Sequence, residues 1–140
     1  MKLNLKTTLF TLLLSATGSV SAFAQCDKTA TLTSSTTSYV DNTGAIIRSK
    51  DEDTKVTITK TDLTIAPGEG EMTGKISSST CDWKVPFKEG KTVIKALMTG
   101  DGPDKHVTVT IEGKEGKVTL TFEAEEMPGK KIQVVADKFE

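Results

Sequence analysis

The sequence is poor in the residues from which most catalytic and metal sites are built. It contains one histidine, His106, and two cysteines, Cys26 and Cys81, which do not complete the four ligands of a structural zinc site. A Ser-His-Asp triad would depend on His106, and neither Gly-x-Ser-x-Gly nor Ser-x-x-Lys occurs. No glycine loop precedes a helical segment to bind a phosphate. We therefore predict that the protein is not an enzyme and binds no cofactor.

Carboxylates are plentiful and are the remaining candidates for metal binding or acid-base chemistry. They are grouped as Asp51-Glu52-Asp53, Asp101 with Asp104, and Glu125 with Glu126. Calcium prefers such oxygens, but the spacing and glycine of a helix-loop-helix calcium site are missing, so we predict no metal. His106 would need Asp101 or Asp104 nearby to act as a base, and we expect it to be exposed where a loop ends. Paired-carboxylate glycosidase chemistry stays open, because two acids need only meet in space.

Aromatic residues and an excess of positive charge are also lacking. Sugar-binding modules usually expose several aromatic rings, whereas only five aromatic residues follow position 24. Trp83 is expected to pack in the core beside a disulfide, with the lining of a ligand cavity as the alternative. Beyond position 24 there are 16 basic and 19 acidic residues. That balance argues against nucleic acid and anionic membranes as partners.

The first 24 residues have the pattern of a secretory signal peptide. Lys2 and Lys6 precede a short apolar stretch at 9–14, and Ala22-Phe23-Ala24 provides the small residues of a cleavage site. The apolar stretch is shorter than the ~20 residues that span a bilayer. We predict cleavage after Ala24, with Ala22 as the alternative. The prediction is a signal peptide at 1–24 and a single domain at 25–140, periplasmic or secreted, without a membrane anchor.

Both cysteines lie in the part of the chain that is predicted to be exported. Since disulfides persist outside the cytoplasm, we predict that Cys26 and Cys81 pair. Two separate thiols are the alternative.

Threonine and valine alternate throughout the rest of the chain, as in 107–111 and 117–122, with a period of two residues. This period is typical of strands with one buried face. Glycine, proline and asparagine turns separate the runs, which favours antiparallel hairpins. The predicted strands are 29–40, 45–49, 55–60, 62–66, 73–85, 91–98, 106–112, 117–124 and 131–138. We predict an all-β fold, an antiparallel up-and-down meander that forms a small barrel or strongly curved sheet, with a β-sandwich as the alternative.

Three segments carry a resemblance to known proteins. They are TCDWKVPFKEGKT at 80–92, VTVTIEGKEGKVTLTF at 107–122 and IQVVADKFE at 132–140. Together they resemble uncharacterised small exported β-rich proteins of Bacteroidota-type bacteria. The architecture is similar to that of lipocalin-like barrels, although the Gly-x-Trp that marks true lipocalins near the mature N-terminus is missing. The resemblance implies an exported β-barrel and transfers no functional residue.

Two functions remain. The first is a non-enzymatic module that binds a small apolar or amphipathic ligand on the inner face of a curved sheet. The predicted lining residues share an inward position on their strands: Ile58, Leu63, Ile65, Trp83, Ile94, Val109, Ile111, Leu120 and Phe122. The second is a structural or protein-interaction domain whose interior is fully packed and which meets a protein partner through its loops or a strand edge.

Overall fold

The computed structural model describes residues 25–100 and 102–140, most of which lie in strands. The predicted signal peptide and Asp101 lie outside the described residues. The strands are β1 (Ala30–Val40), β2 (Ile46–Ile58), β3 (Asp62–Pro67), β4 (Met72–Val85), β5 (Glu89–Gly100), β6 (Gly102–Lys114), β7 (Lys117–Ala124), β8 (Lys131–Val135) and β9 (Lys138–Phe139).

Strands β1 to β8 form a closed antiparallel barrel in up-and-down order. Each strand pairs with the next one along the chain, and β8 pairs with β1 to close the sheet. The short β9 is an extra strand on β1, where Phe139 lies opposite Leu32. The predicted all-β meander is thus confirmed as a barrel, and the sandwich alternative is wrong.

Apart from shifts of strand ends, the structure differs from the prediction in two places. The predicted strands 45–49 and 55–60 are one continuous β2, and the acidic run at 51–53 lies within it because β1 pairs with β2 along its whole length. The predicted strand 131–138 is divided at Ala136 and Asp137. There Ala136 N–H donates to the Val118 carbonyl while Asp137 N–H donates to the Thr33 carbonyl, so the chain passes from a partner on β7 to one on β1.

Alternation of apolar and polar residues places one face of each strand in the core. In β6, Val107, Val109 and Ile111 are at most 2% exposed, and the residues between them are only partly buried. Leu32, Leu63 and Ile94 meet them from other strands of the same cluster. Full burial of such a side chain contributes about 1.5–3 kcal/mol. The inward rows therefore account for much of the stability of the barrel.

The two ends of the barrel are built differently. The disulfide end is the end where β1 begins and β2 finishes, with Ala30 opposite Ile58. The hairpin end is the opposite one, where the β1–β2 and β5–β6 hairpins turn.

At the disulfide end, Cys26 is bonded to Cys81 across 55 residues of sequence, with their Cα atoms 5.9 Å apart. The predicted disulfide is therefore confirmed. Gln25 beside it is buried, and its Oε1 accepts a 2.7 Å hydrogen bond from the Phe87 N–H. The start of the described chain is thus fixed onto the barrel wall by a covalent bond and a partly buried hydrogen bond.

Trp83 occupies the core of the disulfide end, as its position beside the cystine predicted. Its indole Nε1 donates to Thr92 Oγ1 at 2.7 Å, and its ring lies 5.6 Å from that of Phe139. Gly90 and Gly113 leave the space for the indole, since a Cβ on Gly113 would lie 2.7 Å from Trp83 Cζ3. Trp83 is thus a buried core tryptophan whose indole N–H has a hydrogen-bond partner.

Candidate functional site

In the described part of the chain a cavity lies at each end of the barrel, and the cavity at the hairpin end is the more apolar. This hairpin-end pocket has a volume of about 140 Å³ and is lined by residues of β1, β2, β3, β7 and β8 and by the first residue of β4. Its lining is Thr37, Tyr39, Glu52, Thr54, Val56, Ile65, Pro67, Met72, Leu120, Phe122, Ile132 and Val134. Most of these side chains offer only carbon to a ligand, so the pocket favours an apolar group.

The polar groups of the hairpin-end pocket are few and lie on β1 and β2. Thr37 and Thr54 are buried, and their hydroxyl oxygens are 3.4 Å apart, within hydrogen-bonding distance of each other. Glu52 has a side chain only 16% exposed, and its carboxylate is 3.3 Å from Lys50 Nζ, which is largely in solvent. The pocket therefore combines an apolar interior with one carboxylate that a ligand head group can reach.

The disulfide-end pocket is larger and more polar. Its volume is about 310 Å³, and its lining includes the N-terminal turn, the β2–β3 turn and the cystine. Asp27, Lys28 and Lys60 contribute charges, and Lys60 Nζ lies 3.8 Å from Asp27. Charges of both signs thus line this mouth, whereas of the Lys50–Glu52 ion pair only Glu52 lines the hairpin-end pocket.

The predicted lining residues are divided between these two cavities and the packed core. Ile65, Leu120 and Phe122 line the hairpin-end pocket. Ile58, which is half-buried, and Ile94 line the disulfide-end pocket. The other four are buried in the core cluster and line neither of the two cavities: Leu63, Trp83, Val109 and Ile111. The structure thus brings three of the nine together at one candidate site.

Sequence reasoning did not place several residues of this site in a pocket. Tyr39 and Glu52 line the pocket because β1 pairs with β2 along this stretch, and Met72 lines it because it lies opposite Ile65 where β4 begins. The sequence pattern places the acidic run at 51–53 between two predicted strands. An inward position of Glu52 could therefore not be predicted. A continuous β2 reveals it, since Glu52, Thr54 and Val56 alternate along one strand.

His106 is exposed, as expected, but it lies inside β6 and contacts an acid that the sequence did not pair with it. Its Nδ1 is 2.7 Å from Glu126 Oε1, and its backbone N–H donates to the same carboxylate at 3.0 Å. The hydrogen bond raises the pKa of His106 and lowers the pKa of Glu126. The β6–β7 register, with Val107 opposite Ala124, produces this contact.

Ligand atoms of His106, Glu125 and Glu126 lie within 4.8 Å of one another. All three side chains are in solvent, and His106 already shares its hydrogen bonds with Glu126. This exposed cluster stands on the outside of the barrel rim and is explained by the ion pair itself.

Comparison of the chain with models of protein families, with curated proteins and with solved structures gives no significant match. Within residues 25–100 and 102–140, no helix has the length and apolar character needed to cross a membrane. The disulfide indicates an environment outside the cytoplasm.

Proposed function

We propose that the protein is an exported, non-enzymatic binding module that holds a small amphipathic ligand in the hairpin-end pocket. The observation that carries the proposal is an open, mostly apolar cavity of about 140 Å³ continuous with the barrel core. The interior of an eight-stranded barrel is either filled by side chains or holds one small ligand, as in lipocalins. The cavity favours this function over the alternative of a domain with a fully packed interior.

The volume of the pocket sets the size of the ligand. An apolar cavity of roughly 150 Å³ accommodates benzene, so the apolar part of the ligand has about six carbon atoms. Leu63, Val109 and Ile111 fill the barrel behind the pocket. A long acyl chain therefore has no path through the barrel, and a single ring or short alkyl chain fits best.

The chemistry of the rim sets the head group. Glu52 is mostly buried at the pocket, and Asp51 and Asp53 flank it on β2. A carboxylate accepts hydrogen bonds and attracts cations. Amines and alcohols are thus preferred to carboxylic acids, and hexylamine, hexan-1-ol and hexanoate are suitable probes.

We also propose that the protein acts outside the cytoplasm. The disulfide between Cys26 and Cys81 supports an oxidising compartment, either the periplasm or the extracellular space. The signal peptide predicted at 1–24 would direct the chain there.

The test is an NMR titration of the processed chain with the three probes. It is made with the unmodified protein and with a variant in which a larger side chain fills the pocket. Ile132 is half-buried on the pocket wall, so Ile132→Phe should block the cavity and weaken hexylamine binding at least about tenfold, the equivalent of ~1.4 kcal/mol. Ile76→Phe makes the same change at a half-buried position in the other pocket and should leave the affinity unchanged.

Glu52→Gln sharpens the same experiment. Removal of the carboxylate charge should reduce the preference for hexylamine over hexanoate while hexan-1-ol binding changes little. Equal binding of all three probes to the unmodified protein, or equal effects of Ile132→Phe and Ile76→Phe, would contradict the proposal.

A further inference from the structure

The carboxylate of the hairpin-end pocket already binds a primary ammonium group, the one that Lys50 carries. Lys50 Nζ lies 3.3 Å from Glu52 Oε2. The Glu52 side chain is only 16% exposed, whereas that of Lys50 is 62% exposed. Glu52 lines the pocket and Lys50 does not. Lys50 therefore approaches the carboxylate from the solvent, while the same carboxylate borders the cavity.

The strand register places Lys50 at the rim of the pocket. In the β1–β2 ladder, Lys50 lies opposite Thr37 and Arg48 lies opposite Tyr39. Directly opposite residues of an antiparallel pair project from the same face of the sheet. Because Thr37 and Tyr39 line the pocket, both cations begin on the face of the sheet that carries it.

The two cations at the rim have different partners. The Arg48 guanidinium carbon lies 4.4 Å from the centroid of the Tyr39 ring, and the face of an aromatic ring attracts a guanidinium at this distance. Lys50 pairs with Glu52 instead. Within the described residues, the charge of the pocket carboxylate is thus balanced by Lys50.

A ligand amine and Lys50 need the same carboxylate. The ammonium group of an alkylamine is chemically the same as the end of a lysine side chain, and two such cations beside one carboxylate repel each other. Lys50 has a flexible stem and stands largely in solvent, so its ammonium group loses little when it returns to water. An alcohol carries no charge and can bind without the release of Lys50.

We propose that Lys50 is a specificity-determining residue of the hairpin-end pocket, which occupies Glu52 while the pocket is empty and is replaced there by the ammonium group of a primary amine. The inference rests on the proposed function, since it concerns the ligand of the same pocket. Charge is conserved in the exchange, because one ammonium group leaves the carboxylate as another arrives. Lys50 thus weakens the binding of amines and leaves the binding of alcohols unchanged.

The experiment compares the affinities of hexylamine and hexan-1-ol for two charge-neutralised variants of the processed chain. Lys50→Gln should strengthen hexylamine binding about two- to fivefold, the range that exposed ion pairs usually contribute, and should leave hexan-1-ol binding unchanged. Lys55→Gln removes the same charge from an exposed position of β2 that does not line the pocket. It should leave both affinities unchanged at about 0.15 M salt, where distant charges are screened.

A double-mutant cycle shows whether Lys50 acts through the carboxylate. In a chain that already carries Glu52→Gln, there is no charge for which two cations compete. Addition of Lys50→Gln to that chain should therefore bring no gain in hexylamine affinity, since the two effects are coupled.

The outcomes separate this inference from the proposed function. If both probes bind in the pocket but Lys50→Gln leaves the hexylamine affinity unchanged, the inference is wrong and the proposed function stands. An equal gain in Lys55→Gln, or a gain that persists in the presence of Glu52→Gln, would also overturn the inference. Failure of both probes to bind the unmodified protein would overturn the proposed function and this inference together.

Discussion

The two ends of this barrel contrast in how they are closed. At the disulfide end, the cystine, the buried Gln25 and the Trp83–Phe139 contact hold both ends of the described chain against β4 and the turn after it, beside the larger and more polar pocket. At the hairpin end, β2 projects beyond β3, and an apolar pocket remains beside it. The covalent and aromatic contacts that fix the chain ends thus lie at one end, and the more apolar pocket, which we propose to bind the ligand, lies at the other. The difference predicts that stability and binding respond to different residues.

Removal of the disulfide should have the largest effect on stability. With Cys26→Ser and Cys81→Ser together, the unfolded chain regains the entropy of a loop of 55 residues, worth about 4 kcal/mol. Urea denaturation measures the loss. At low temperature, where the variant is still folded, its affinity for hexylamine should match that of the unmodified protein. Loss of binding in a folded variant would show that the two ends are not independent.

Replacement of Gly113, which leaves space for the Trp83 indole, should have a smaller effect on stability. In Gly113→Ala, the new Cβ would lie 2.5 Å from the Lys88 carbonyl oxygen and 2.7 Å from the indole. Overpacking of this kind costs about 1–3 kcal/mol. Gly100→Ala at the hairpin end is the matched control, because its nearest neighbour would be Met72 Cγ at 3.5 Å. Thermal unfolding measures the loss of stability. Equal losses of stability in Gly113→Ala and Gly100→Ala would contradict the contrast between the two ends.

The exposed His106–Glu126 pair at the hairpin end should have the smallest effect on stability. Glu126 raises the pKa of His106, so the histidine contributes stability that is complete below its unfolded pKa and is lost as pH rises through the higher folded value. The pKa of Glu126 is lowered, so its contribution is lost as pH falls through that value. The pair is therefore most favourable between these two pKa values.

An NMR titration of the His106 ring protons tests this pair. In Glu126→Gln, the His106 pKa should fall toward the ordinary 6.5, and Glu125→Gln, which alters an acid without a hydrogen bond to the ring, should change it less. An unchanged His106 pKa in Glu126→Gln would mean that the hydrogen bond is absent in solution.

Local alternation in the sequence was enough to predict the strands of the core. In β6 and β7 the apolar positions Val107, Val109 and Leu120 repeat every two residues and are buried as expected. The disulfide could also be predicted, because the sequence contains two cysteines and both lie in the segment that is predicted to be exported. These predictions succeeded because each depends on a short stretch of chain or on simple pairing.

Register over long distances was not accessible to the same reasoning. The acidic run of β2 resembles a turn, and only pairing with β1 makes it part of a strand. Val85 alternates with Trp83 in the sequence, yet it is exposed because the register shifts between them. The selection of Ile65, Leu120 and Phe122 as pocket residues also depends on how strands end at the rim, which no local pattern specifies.

The central claim is that the hairpin-end pocket, and not the disulfide-end pocket, takes a small amphipathic ligand. Intermolecular NOEs between hexylamine and the methyl groups of the unmodified protein test it directly. The account predicts NOEs to Ile65, Leu120 and Val134 at the hairpin end. NOEs to Ile58 and Ile94 at the disulfide end instead, or no NOE to any of these five residues at saturating hexylamine, would contradict it.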